Sequence, residues 1–244
     1  DARASAGHAR QFTVDATTSF IGAAAECPSL ESIVVRSGIE VYGRHQGSLT
    51  RPDETTPVRP SSEYGHMLAR LESAARDAGR MVGVPVTALR LAPVLGPHVP
   101  SPLGRLLRHP VVPFSLLADP PFTVVEDSDA ARAFVAAAER RLDQPVNVVA
   151  PGAITGLQAL RRGKRIPLPL VGPEWVLARA VSHLMGAPMP DHVMEVMHRG
   201  RLADGSAAAD LLGVAPSIST AAVIDLLYAW PGIVRVTRPV EAVA

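Results

Sequence analysis

One cysteine and one lysine stand in 244 residues. The lone Cys27 excludes an intrachain disulfide and a cysteine-ligated zinc site. It fits a reducing compartment, and a cytoplasmic location is the expectation. Lys164 is the only lysine, so the other Lys/Arg-class cations are arginines. An arginine stays protonated and does not freely replace a lysine. No apolar run reaches the about 18 residues of a membrane span. The opening DARASAGHAR carries charge with no apolar core behind it, unlike a signal peptide. A net charge of +1 gives no footing for nucleic acid or an anionic membrane.

Several catalytic signatures are missing too. No G-x-S-x-G elbow, no G-x-x-x-x-G-K-[ST] loop and no H-E-x-x-H pair occur. No glycine-rich turn between a strand and a helix is present to grip a dinucleotide pyrophosphate in the usual way. His192, Glu195 and His198 are spaced by three. That spacing does not put both histidines on one helical face, and no metal is expected. The basic LRRGKR, Leu160 to Arg165, is compatible with phosphate but reads as a solvated surface loop.

What is there is enough to fold. Hydrophobic residues make up 47% and charged residues 19%, so a sizeable core is affordable and disorder is excluded. An alanine-rich helix is predicted from Gln11 to Glu26. SIVVRSG, Ser32 to Gly38, reads as a buried strand ending in small residues. Loop follows to Pro60. A helix is predicted from Ser61 to Met81, with Ser61 or Ser62 as cap and Gly83 as stop. VPVTALRLAP is a second buried strand, ending at Pro93. Proline-rich loop is predicted to Pro121, then a strand in FTVV. A helix follows, capped by Asp127 or Ser128. PVNVVAPG is another strand. Alternating strands and helices make residues 1–150 α/β, with a mostly parallel sheet. After Gly152 the pattern changes to a basic patch, a proline segment, an amphipathic helix and two short helices. Ser219 or Thr220 is the expected cap of the last. Asp1 opens the chain, so a processed protein or a piece of a longer one is expected.

The stretch SSEYGHMLARLE, Ser61 to Glu72, places Tyr64 at a helix start. A free tyrosine titrates near 10, so about one in a thousand is ionised at pH 7. To act as a base it needs a nearby cation. A lysine at i+4 would share its face, but that position is Leu68. Arg70 and His66 lie off the face. Taken alone, Tyr64 reads as a half-buried tyrosine at a helix start. SGIEVYG, Ser37 to Gly43, puts small polar residues at a strand's carboxyl end, where α/β sheets place ligands. Taken alone it reads as a simple strand-to-loop turn.

In order, SIVVRSGIEVYG, DETTPVRPSSEYG, VTALRLAPVLGP, FTVVEDSDAARA and PVNVVAPG resemble successive landmarks of the extended short-chain dehydrogenases. These are the NAD-dependent epimerase/dehydratase proteins, with UDP-glucose 4-epimerase as a type member. GSAAADLLGVAP and the last helix resemble the family's close, so the likeness runs from about Gln11 to Trp230. The resemblance implies a partial Rossmann-like parallel sheet binding NAD or NADP in residues 1–150, missing the family's first four strands. It also implies a smaller mixed α/β substrate lobe in residues 151–244. It implies a nucleotide-sugar or other small-molecule substrate. A homodimer would pair through the helices at 11–26 and 61–81.

By the same resemblance Tyr64 matches the catalytic tyrosine. Gly38 occupies the serine or threonine position, Leu68 the lysine position, and Pro93 a position often held by asparagine. Ser37, Gly38, Tyr64, Ala92 and Pro93 would face the cofactor. The implied function is an NAD(P)-dependent epimerase/dehydratase-like oxidoreductase or isomerase, catalytically impaired. The alternative is a nucleotide-binding or regulatory pseudoenzyme on the same fold.

Overall fold

The computed structural model describes residues 6–44, 50–115, 119–170 and 190–230. Its centre is a three-stranded parallel sheet in the order β1 (Ile33–Gly38), β2 (Val86–Leu91), β7 (Pro145–Val148). Every residue of the central β2 is buried, as a strand covered on both faces requires. β1 pairs with β2 from Ile33 opposite Val86 to Gly38 opposite Leu91. Gly38 and the Ala92–Pro93 step therefore lie side by side at the carboxyl edge.

Helix α2 (Glu63–Val82) connects β1 to β2. Ser62 caps it by accepting from the Gly65 N–H, and Gly83 closes it in the left-handed conformation at φ 74°. Ser61, the other candidate cap, is used elsewhere. Gly79 lets α2 press onto the sheet, since a Cβ there would strike Val86. α1 (Ala6–Ala25) packs on α2. α4 (Asp127–Arg140) lays Ala130, Ala133 and Ala137 on the same core. Its N-cap is Glu126 without a side-chain bond, where Asp127 or Ser128 was the sequence expectation. The Ser128 hydroxyl donates to Glu126 instead.

The stretch from Gly96 to Pro121, expected to be loop, contains α3 (Pro102–Arg108) and β4 (Val111–Ser115). Pro102 sits at the helix start, where its fixed φ suits the first turn and its missing N–H costs nothing. β4 pairs in parallel with β9 (Ile166–Leu170), an outlying two-stranded ribbon that tolerates Pro113, Pro167 and Pro169. FTVV is two short strands. In β5 (Pro121–Phe122), Phe122 pairs with Ile154 of β8 (Ile154–Thr155); in β6 (Val125–Glu126), Val125 pairs with Val94 of β3 (Val94–Leu95). The chain changes sheets between them.

β8, β9, α5 (Gly156–Arg162) and α8 (Thr220–Ala229), with α3 and β4, form a smaller lobe around Leu103, Leu107, Phe122, Leu160 and Ile224. Ser219 caps α8, as the sequence allowed. α6 (Asp191–Arg199) also packs its Val193, Val196 and Met197 into this lobe, whereas α7 (Ser206–Leu212) packs back onto the central sheet. The two cores thus do not meet at one point in the chain. The amphipathic helix expected between the proline segment and Gly186 falls on 171–189, outside the described residues.

Candidate functional site

A buried polar network fixes the carboxyl edge of the sheet. Glu72 of α2 accepts from Arg90 Nε at 2.9 Å and Nη2 at 2.8 Å, and from the Ser37 hydroxyl at 2.6 Å. Arg90 Nη1 donates to the Tyr42 hydroxyl at 2.9 Å, which donates to Asn147 Oδ1 at 2.7 Å. Asn147 Nδ2 donates on to the Asp204 carbonyl. One chain of bonds ties α2, β1, β2, β7 and the loop before α7. It also pins Tyr42, and with it the 3-10 turn Ile39–Tyr42 that carries Glu40. Ser37 is fully buried, with its hydroxyl turned onto Glu72.

Beside that frame stand the residues singled out in the sequence. Leu68 is 1% exposed and belongs to the main core. A Cβ at Gly38 would come within 3.1 Å of Leu68 Cδ1 and would run into Glu40 Oε2. The space a serine side chain would need is therefore held by the Glu40 carboxyl and Leu68. Gly65 allows this approach: a Cβ on it would lie 2.6 Å from the Glu40 carbonyl. The Tyr-Gly pair thus sets Tyr64 down next to the turn. Ala92 is buried and donates its N–H to the Val148 carbonyl. The Pro93 carbonyl accepts from the Val125 N–H.

Tyr64 has a cation after all, though not at i+4. Arg36 of β1 donates from Nη1 to the Tyr64 hydroxyl at 3.0 Å. Burial nevertheless pushes the phenol above its ordinary value, and the nearby Glu40 adds to this; Arg36 opposes it. The phenol stays protonated at neutral pH. Its ring stacks on His192 of α6, with centroids 4.3 Å apart. Burial likewise pushes the Glu40 carboxyl up, against the pull of Arg201 and Arg36.

From His192 the polar cluster continues along α6. Glu195 accepts from the Ser61 hydroxyl, and its other oxygen lies 2.6 Å from Arg201 Nη2. Arg44 donates to the Arg199 carbonyl. Sequence reasoning gave no site role to Glu40, Arg36, Arg44 or Arg201, and weighed Glu195 only as a metal ligand beside His192 and His198. Arg36 and Arg44 flank Glu40, an acid inside the apolar run IEVY, within four residues on either side. Glu195 and Arg201 are brought in by chain far away. Among the described residues no group of histidine, cysteine and carboxylate side chains is placed to hold a metal. A cavity of about 500 Å³ at the carboxyl end of β7, lined by Arg51, Thr123, Val149, Leu202 and Asp204, includes none of the site residues chosen from the sequence.

Residues 5–147 match the model of the NAD dependent epimerase/dehydratase family. The chain belongs to that family. Uncharacterized proteins of Mycobacterium tuberculosis and Mycobacterium bovis are 27% identical over 236 residues, covering 94% of this chain and 62% of theirs. The chain thus spans less than two thirds of the curated relatives it matches. Among solved structures, the protein MoeE5 in complex with UDP-glucuronic acid and NAD superposes with a TM-score of 0.67 at 21% identity. The match covers 88% of this chain and 69% of that one. UDP-glucuronic acid 4-epimerase from Bacillus cereus gives 0.66 at 18%, covering 89% and 66%. At such identities the likeness shows the fold, and it is the family's parallel Rossmann-like sheet with a smaller carboxyl-terminal lobe. Against the serine–tyrosine–lysine pattern that the resemblance implied, this epimerase/dehydratase-family chain has Gly38, Tyr64 and Leu68.

Proposed function

We propose that this chain is the sheet-edge and substrate-lobe part of a diverged NAD(P)-dependent oxidoreductase or isomerase of the epimerase/dehydratase type, in which tyrosine-driven proton transfer is impaired. The observation that carries this reading is Leu68, buried in the core against Gly38, with Tyr64 held as a neutral phenol. The ligand would be a nucleotide-sugar, the class named for the solved relatives, and the location cytoplasmic. The central sheet would form the cofactor side, and the smaller lobe, which takes α3 and β4 from within residues 1–150 and leaves α7 to the sheet, the substrate side.

The fit to a dinucleotide is partial. Gly38, Ala92 and Pro93 form the carboxyl edge of the strands, with Gly38 and Ala92 buried, and Tyr64 stands beside it. Leu68 offers no donor to a ribose, and Ser37 is already committed to Glu72. A bound nicotinamide would supply and take back a hydride. This chain's residues would orient the sugar, and Tyr64 would hold a proton on its hydroxyl. With two of the three family groups replaced, a second reading follows: a binding or regulatory protein that keeps the nucleotide pocket without turnover.

NADH fluorescence titration and a UDP-glucose to UDP-galactose assay test both readings. Binding without conversion supports impairment. Turnover on the order of 10 per second, ordinary for enzymes, overturns it. No NADH binding overturns the nucleotide reading altogether. The exposed Phe20 of α1 and Met81 of α2 support a homodimer through these two helices, and a monomeric mass by sedimentation would refute it.

A further inference from the structure

Arg201 is the largest fully buried side chain among the described residues, at 1% exposure. A buried guanidinium normally has its N–H groups in hydrogen bonds, because each orphan costs its desolvation. Here Nε, Nη1 and Nη2 all lack a hydrogen-bond partner. Nη2 does lie 2.6 Å from Glu195 Oε2, an ion pair whose angles fall outside those of a directed hydrogen bond. Glu195 is meanwhile engaged by Ser61 through its other oxygen.

The surroundings add positive charge. Arg44 feels the charge of Arg201 and is lowered chiefly by burial. Arg36 also acts on Glu40 and donates to the Tyr64 hydroxyl. Arg199 Nη1 lies 4.0 Å from Glu195 Oε1, so four arginines stand about two carboxyls, Glu40 and Glu195. Burial favours the neutral form of Glu40, which deepens the excess. The cluster lies between the sheet's carboxyl edge and α6, where open α/β sheets take their ligands. A planar guanidinium with free N–H groups suits an oxyanion with two acceptor oxygens in one plane.

We propose that Arg201 is the specificity-determining residue of this site and recognises a carboxylate carried by the substrate, as on a sugar acid. The assignment rests on the nucleotide-sugar reading above. A neutral hexose would leave the guanidinium as unsatisfied as it stands now. A uronate would supply the missing acceptors and the missing negative charge.

Calorimetric titration of the chain with UDP-glucuronate and with UDP-glucose tests this. The uronate should bind about tenfold tighter or better, the scale of one charge-assisted pair. Arg201→Gln should abolish that preference, with the loss falling on the uronate. Equal affinities for the wild type, or a preference that survives in Arg201→Gln, overturn the proposal. Should Arg201→Gln fail to fold, Arg201→Lys keeps the charge, loses the planar fork and should lose the preference; its retention overturns the proposal.

If neither nucleotide-sugar binds, the nucleotide-sugar reading has failed on its own. Thermal melting with free D-glucuronate, with glucose and with inorganic phosphate then decides about Arg201. An upshift by glucuronate alone supports the carboxylate site. No upshift, or one equally produced by phosphate, overturns it.

Discussion

Two buried arginine–glutamate pairs lie within this fold, and they are built differently. Arg90 meets Glu72 through two parallel N–H···O bonds, and its remaining nitrogen reaches Tyr42. Ser37 completes the carboxylate. Arg201 meets Glu195 at one short distance with no directed bond, and its other nitrogens face no acceptor. The first pair knits strands to a helix. The second lies at the ligand edge of the sheet. A buried ion pair whose hydrogen bonds close on themselves belongs to the scaffold; one left open has capacity to receive something.

Breaking each pair should separate the two roles. Removing one partner of a closed buried pair strands a charge. Glu72→Ala is expected to cost about 3 to 5 kcal/mol, read as a fall in denaturation midpoint. Arg201→Leu strands the Glu195 carboxylate in turn, but Ser61 still donates to it and Arg199 lies 4.0 Å away, so a smaller cost of about 2 kcal/mol is expected. Equal losses from the two substitutions would erase the distinction between frame and site.

The frame was largely legible in the sequence. β-branched runs gave β1 and β2, and the capped pattern from Ser62 to Gly83 gave α2. These signals are local: they depend on alternation, caps and left-handed glycine within a few residues. Proline misled between Gly96 and Pro121, because the same residue that punctuates a loop also starts α3. FTVV misled because a strand that changes partners keeps the same pattern. At the site, helical spacing related Leu68 to Tyr64, and the family resemblance singled out Gly38. Arg201 and Glu195 could not be placed here in either way, since they reach Glu40 from well over a hundred residues away, and no periodicity encodes that. The acid of IEVY was visible, but its meaning depended on the missing side chain at Gly38.

The contrast also bears on whether the lost lysine can be restored. Leu68→Lys would place an ammonium where the present side chain is 1% exposed and packed against Gly38 and Glu40. An ammonium at such a depth loses its hydration, and the nearby Glu40 carboxyl is pushed towards its neutral form by burial, so a loss of about 3 kcal/mol in stability is expected, without gain of turnover. Chemical denaturation and the epimerase assay on one preparation measure both. A stable, active Leu68→Lys would mean that the pocket opens more readily than its packing implies.

The smallest expected effect concerns the cation that Tyr64 does have. A phenol in contact with a guanidinium should ionise more easily, yet burial outweighs Arg36 and holds the phenol above its ordinary value near 10. The sign follows. The neutral phenol is the form the fold tolerates. Its contribution to stability is present below pH 10 and declines as the pH climbs into the range where the folded phenol ionises. Tyr64→Phe should flatten that alkaline decline. Arg36→Leu should push the titration higher still, because the only opposing charge is gone while Glu40 remains. Burial raises Tyr42 as well and pushes Tyr228 to about 12, so the spectrum of tyrosinate must be read as a difference against Tyr64→Phe. If Arg36→Leu leaves that difference titration unmoved, the 3.0 Å contact carries no electrostatic weight, and the neutrality of Tyr64 is a matter of burial alone.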